Sequence, residues 1–197
     1  MGRPSKPIIS KELAVRAALE VVDDEGIEGL TVQLVARKLG VKAPSLYYHF
    51  KGKSEMLEEI ARMIQVEAII PNMRSDGNWR EQLIELAVAV RSSIMRHPRA
   101  APLLLQYFPR HLMLKYYEFW VNRYDVKPEQ RMIVIEGVEK LTYGSALIGA
   151  MSRATGVPPM PEFDASEYPH LAEAVQANPM NDDQAFVQSL RVFLNAF

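Results

Sequence analysis

The sequence predicts an all-α fold of about nine or ten helices. Three observations carry this. Apolar residues recur three and four positions apart along most of the chain, the spacing of one buried helical face. The segments so patterned are bounded by capping residues and by glycine or proline. No stretch alternates apolar and polar residues long enough for a strand, and no repeat or low-complexity tract interrupts the pattern.

Residues 1–9 form a basic, proline-bearing arm expected to be flexible. Ser10 is a fitting N-cap for a first helix with Leu13, Ala17 and Val21, beside Ala14, Ala18 and Val22, as its buried face; Gly26 ends it. Thr31 caps a second helix, with Val32, Val35, Ala36 and Leu39 on one stripe, and Gly40 breaks it. Pro44 suits the first turn of a short third helix, where its missing N–H has no helical partner. Gly52 closes that helix and Ser54 is expected to cap a fourth, running to about Ile70 before Pro71. Glu55, Glu58 and Glu59 suit the positive end of its dipole. After a loop over Asn72–Asn78 come a helix over Trp79–Arg96 and shorter pieces punctuated by Pro98, Pro102 and Pro109. An aromatic-rich stretch follows over Leu112–Tyr124, then the longest helical stretch over Glu129–Arg153. A loop from Gly156 contains at most one short helix, and Asp182–Phe197 forms an amphipathic end.

Composition bounds what such a chain can do. At about 100–200 residues per domain, 197 residues with 48% hydrophobic content can bury a sizeable core. The absence of cysteine excludes a disulfide scaffold and any cysteine-bearing zinc site. His49, His97, His111 and His170 show no metal-ligand spacing, so no metal or other cofactor is expected to be required. No run approaches the ~18 apolar residues of a membrane span, and Met1–Pro7 lacks the apolar core of a signal peptide. The expectation is a reduced, cytoplasmic protein with no membrane partner.

The net charge of −1 hides an asymmetry. Residues 1–54 hold nine Lys and Arg against six Asp and Glu, leaving +3, while the remainder holds 14 against 18, leaving −4. Thr31–Lys53 contains five basic residues and no acid. A basic end on an acidic body points to a polyanion. The first three helices, about 16, 8 and 6 residues long, have helix-turn-helix spacing, with Leu39-Gly40-Val41-Lys42 between the second and third. Leu46 and Phe50, at i and i+4, belong to the core side; Gln33, Arg37, Lys42, Ser45, Tyr48, Lys51 and Lys53 form the polar side.

Glu25-Gly26-Ile27-Glu28-Gly29-Leu30-Thr31, Val35-Ala36-Arg37-Lys38-Leu39-Gly40-Val41 and Leu46-Tyr47-Tyr48-His49-Phe50-Lys51-Gly52-Lys53 closely resemble the TetR family of bacterial transcriptional regulators. The close match covers about residues 10–60; beyond it only the helical layout and length are similar. The resemblance implies a helix-turn-helix DNA-binding domain over 10–54, a connecting helix over 55–70, and a ligand-binding and dimerisation domain over 71–197. It places Gln33 at a base-reading position, where an amide can pair with adenine N6 and N7. Thr31 opens the second helix of the same surface, and Lys42, Ala43, Pro44 and Ser45 open the recognition helix. Alanine and proline suit a thymine methyl, and Ser45 a base or a phosphate. Tyr47 and Lys53 match phosphate-contacting positions, with Lys51 beside them. Tyr48 lies against the backbone or a base edge, and His49 fits packing, capping or a base contact.

The implied function is a homodimeric repressor on a palindromic double-stranded operator, released by a small hydrophobic or aromatic effector. A regulator without a ligand, or one controlled by a protein partner, is the alternative. Two-fold dimers place recognition helices one DNA turn apart, so Glu129–Arg153 and Asp182–Phe197 are the candidate interface. The small residues Gly137, Gly144, Ala146, Gly149 and Ala150 are expected to admit a partner helix. Candidate effector contacts are Met63, Ile64, Glu67, Leu86, Val90, Leu104, Phe108, His111, Tyr117, Trp120, Tyr143 and Leu147. Where tetracycline sensors of the family place polar ligands for a metal–drug complex, this chain has Ile69, Leu86, Val90 and Leu104, which argues against tetracycline. Catalysis is not expected. Gly52-Lys53-Ser54 resembles the tail of a phosphate-binding loop, but Tyr47 stands where that loop needs glycine, and no strand precedes it.

Overall fold

Ser10 Oγ accepts from the Leu13 N–H (3.1 Å) and starts α1, Lys11–Gly29. The computed structural model describes residues 9–69, 77–108 and 110–197, apart from the side chains of 111 and 112; the basic arm, except Ile9, lies outside them. Helical geometry breaks at Gly26 (φ 78°), where the chain turns toward α2. The buried stripe of α1 is Ala14, Val15, Ala18 and Val22 with Ala17, Leu19 and Val21. Leu13, expected inside, is 50% exposed, because the stripe is centred one residue further on and leaves it at the edge of the first turn.

Thr31 Oγ1 caps α2, Val32–Lys38, by accepting from Leu34 N–H (3.2 Å). Gly40 ends the segment at φ 66°, a region that costs other residues about 1 kcal/mol or more. The expected third α-helix is instead a 3-10 turn, η1, Ala43–Ser45, followed by further turns. Leu46 and His49 both donate to carbonyls three residues back, and Pro44 contributes no N–H. This tighter winding brings Leu46 and Phe50 together into the core, where both are buried. The next helix, α3, spans Lys53–Ile69. Ser54 is not its cap: the helix begins one residue earlier, and Glu55 Oε2 reaches back to accept from the Lys51 N–H (2.8 Å).

Asn78 caps α4, Trp79–Arg96. Then come α5 (Leu103–Gln106), α6 (Arg110–Val121), α7 (Pro128–Thr155), α8 (Pro169–Ala177) and α9 (Asp182–Leu194). Asn181 and Gln184 form a reciprocal capping box at the start of α9. No strand occurs among the described residues.

The body is organised around α4, which packs on α3, α7 and α9. One apolar cluster runs without a break from α1, α2 and α3 into Val90 and Ile94 of α4 and Ala146 and Ala150 of α7. A second joins Trp79 and Leu83 of α4, Trp120 of α6, Val134 and Val138 of α7, and Leu190 and Leu194 of α9. Polar ties cross these layers. Ser93 Oγ donates to the Ile64 carbonyl (2.7 Å). The buried Arg91 guanidinium donates to Ser145 Oγ (2.8 Å) and to the carboxylates of Asp182 and Asp183, which leaves a desolvated cation compensated. His97 Nδ1 lies 2.7 Å from Asp23 Oδ2, and Arg99 donates to the Asp24 carbonyl, so the end of α4 holds the side of α1.

The small residues of α7 do not form an open partner face. A Cβ on Gly137 would lie 2.0 Å from the Phe193 ring, and one on Gly149 would lie 2.7 Å from Met95 Cε. Ala146 and Ala150 are buried within the chain, so these residues let α7 approach its own neighbours; only Gly144 has open space beside it. The exposed apolar residues of α7 are Met132, Ile133, Ile148 and Met151, with Val192 nearby on α9. No residue of α8 is buried. Among the described residues, no helix is long and apolar enough to cross a membrane.

Candidate nucleic-acid interface and body cavity

The surface around η1 is built on two buried pegs. Leu46 and Phe50 fix the backbone from inside, which turns Tyr47 (54% exposed) and Tyr48 (89% exposed) outward. Thr31, Gln33, Lys42, Pro44 and Lys51 are exposed around them, with Ala43, Ser45, His49 and Lys53 half-buried. The predicted DNA-contact residues are thus all exposed or half-buried, and none is in the core.

Charge pairing sorts the basic residues of this region. Lys11 pairs with Glu59 (2.7 Å), Arg16 with Glu67 (2.7 Å), and Lys38 with Glu20 (2.9 Å) and Asp24 (3.3 Å). The Lys38 ammonium is held above its ordinary pKa, first by Glu20 and then by Asp24. Lys53 Nζ donates to the Glu28 carbonyl (3.0 Å), tying the start of α3 to the α1–α2 turn. Arg37, Lys42 and Lys51 have no acidic partner among the described residues, and all three are exposed beside the tyrosines. Positive charge is therefore left uncompensated on the face where phosphates would lie.

The second feature lies in the body. A cavity of about 70 Å³ sits between α3, α4, α6 and α7, lined by Leu86, Val90, Tyr116, Tyr117, Trp120 and Tyr143 among others. Beside it an outer cleft of about 510 Å³ is lined by Leu104, Phe108, Arg110, Met132, Lys140 and Leu147 among others. Tyr117, Ile135, Glu139 and Tyr143 line both, so the two spaces adjoin there.

Eight of the twelve predicted effector contacts line one space or the other: Leu86, Val90, Tyr117, Trp120 and Tyr143 the inner, and Leu104, Phe108 and Leu147 with Tyr117 and Tyr143 the outer. Met63 and Ile64 are buried in the core beneath α4 and line neither space. Glu67 is exposed and paired with Arg16, because α3 turns that position to the surface. The His111 side chain lies outside the described residues.

The sequence pointed to Tyr117 and Tyr143 but not to Glu139 and Gln65, which complete their polar centre. Tyr117 donates to Glu139 Oε1 (2.6 Å), and Gln65 Nε2 of α3 donates to the Tyr143 hydroxyl. Burial raises the Glu139 carboxyl above its ordinary range, although the Tyr117 hydrogen bond opposes the shift. Burial likewise pushes the Tyr117 and Tyr143 hydroxyls well above theirs. The available signal was an acid on an apolar stripe: Glu139 follows Ile135 and precedes Tyr143 by four residues.

The family model for bacterial regulatory proteins of the tetR family matches residues 14–60. The tetracycline repressor protein class C of Escherichia coli is 36% identical over 90 residues, 45% of this chain and 41% of that protein. The class D repressor of Escherichia coli is 28% identical over 200 residues, 96% of this chain and 89% of that protein. This chain therefore spans about two-fifths of the class C relative it matches. A solved structure of BioQ with its double-stranded DNA operator matches with a TM-score of 0.56 and 27% identity, covering 75% of this chain and 92% of that one.

Proposed function

We propose that this chain, a member of the TetR family of transcriptional regulators, is a cytoplasmic homodimeric repressor that binds a palindromic operator and is released by a small molecule. The observation that carries the reading is the set of uncompensated cations, Arg37, Lys42 and Lys51, around Tyr47 and Tyr48 on a rigidly pegged turn. Lys42, Lys51 and Lys53 take phosphates with Tyr47, and these contacts set register without reading sequence. Gln33, Ala43, Pro44 and Ser45 meet base edges in the major groove. BioQ, similar to this chain, is held on its operator in a solved complex, which supports the docking.

A single head reads few base pairs, so we assign the dimer to the face of α7 and α9 that exposes Ile133, Ile148, Met151 and Val192. Two-fold pairing there sets two heads about 34–36 Å apart, one DNA turn. The effector enters between α4, α6 and α7. It acts by favouring one head spacing over the other, and the route is the Tyr143–Gln65 hydrogen bond, which joins the cavity wall to α3. Two relatives are named for tetracycline. Here Ile69, Leu86 and Val90 give the inner cavity an apolar wall, so we assign a different effector, bound without a metal.

Selection from random double-stranded DNA tests the reading. The expected result is an enriched palindrome with half-sites one turn apart; no enriched palindrome overturns it.

A further inference from the structure

The polar inventory of the cavity specifies the charge of its occupant. Among the described residues Glu139 is the only charged side chain lining the inner space, and it lines the outer cleft as well. Among the described residues it has no basic partner within ion-pair distance; its hydrogen bond comes from the neutral Tyr117 hydroxyl. The same cavity is lined by the rings of Tyr116, Tyr117, Trp120, Tyr124 and Tyr143. A carboxylate set among aromatic faces is the arrangement that binds a desolvated organic cation, through ion pairing and ring quadrupoles together. An anion there would meet a like charge in apolar surroundings.

The other unpaired groups agree with this sign. Gln65 donates to Tyr143 and leaves its own Oε1 buried without a partner, an acceptor behind the wall. Trp120 Nε1–H, also buried and unpartnered, admits one ligand oxygen and does not alter the charge required. Arg110 and Lys140 line the outer cleft, which Glu139 shares, and act on its carboxylate from a distance without ion-pairing to it. Lys140 is paired with Glu136 (2.8 Å) and Arg110 stacks over Phe108 (5.2 Å). Size divides the occupant in two. The inner 70 Å³ suits a head group, whereas whole effectors occupy about 300–1,000 Å³; the 510 Å³ outer cleft takes the rest.

We propose that the body binds a hydrophobic ammonium compound, with its charged nitrogen on Glu139 inside the aromatic ring set and its apolar body in the outer cleft. The proposal rests on the reading of this cavity as the effector site.

Three probes of one skeleton test it: 2-(2-naphthyl)ethylammonium, 2-(2-naphthyl)ethanol and 3-(2-naphthyl)propanoate. Each is titrated calorimetrically into the full chain and into Glu139→Gln, with circular dichroism checking the fold of the variant. The ammonium should bind at least about tenfold tighter than the alcohol, the carboxylate weakest, and Glu139→Gln should level ammonium with alcohol. An alcohol or carboxylate bound as tightly as the ammonium overturns the proposal, as does a preference that survives Glu139→Gln, or no binding of any probe at millimolar concentration. The unsubstituted chain alone decides the matter should the variant fail to fold. Operator release is measured separately: ammonium binding without release would overturn the control reading and leave the assigned ligand class standing.

Discussion

The head and the body of this molecule solve opposite electrostatic problems. In the head, acids pair the basic residues that lie away from η1, and Arg37, Lys42 and Lys51 remain unpaired in water. In the body, polar groups are drawn inside: Arg91 meets Ser145, Asp182 and Asp183, Glu139 accepts from Tyr117, and Gln65 donates to Tyr143 while its own Oε1 stays unpartnered. The head therefore presents charge to a partner, while the body stores it. A charge in water is weak and screened, and useful mainly against a polyanion. A charge in the body is strong, and selective for whatever completes its set.

Five measurements break or sharpen this contrast. The largest effect is expected from Phe50→Ala, about 3–5 kcal/mol of stability lost, read by denaturant unfolding. Because the apolar cluster runs from α1–α3 into α4 and α7, the transition of the whole chain should shift; a body transition that stays in place would make head and body separate units. Next comes Gly137→Ala. Its Cβ would meet the Phe193 ring at 2.0 Å, and overpacking of this kind costs about 1–3 kcal/mol; an unchanged thermal midpoint would show that α9 is free to move aside. Gln33→Ala should relax preference at one base position by about 1–3 kcal/mol, and a selected-site profile identical to the parent's would remove it from base reading. Lys42→Ala should weaken binding to all sequences and lower the salt slope by about 1; an unchanged slope would take Lys42 off the phosphates.

The smallest effect belongs to Glu139 and bears on pH. Its carboxyl is raised by burial, so the folded chain favours the protonated form. Stability from this group is full below the ordinary carboxylate pKa and is lost as pH rises through the raised value. Glu139→Gln should match the parent in acid and exceed it near neutrality by less than about 1 kcal/mol, since the group is only half-buried. Parallel stability–pH curves for parent and variant would remove the burial penalty.

The same contrast explains what the sequence made legible. The head is specified locally: Thr31 bonds three residues on, Gly40 sits where the turn needs a positive φ, and Leu46 and Phe50 share a face at i and i+4. Such relations lie within one turn of chain and can be read from spacing. Even there Ser54 and the third helix were misplaced, because Glu55 and two core pegs outweighed local preference. The body is specified across helices. Arg91 meets Asp182 and Asp183 about ninety positions away, and Gln65 meets Tyr143 seventy-eight away. No periodicity reports such pairings. The glycines of α7 show the limit most clearly: the sequence marks a close approach at Gly137, and only the fold shows that the approaching group is Phe193 of the same chain.

The contact of His97 with Asp23, and of Arg99 with the Asp24 carbonyl, has a mechanical consequence. It attaches α1 to the body at a point away from α3, so the head is held at two places and not on a single stalk. A body attached twice to its support swings less freely than one attached once. With the 17 residues of α3 as a lever arm of about 25 Å, a rotation of about 5° moves the far end by roughly 2 Å. The Asp23–His97 pair is thus a second tie between head and body, beside α3.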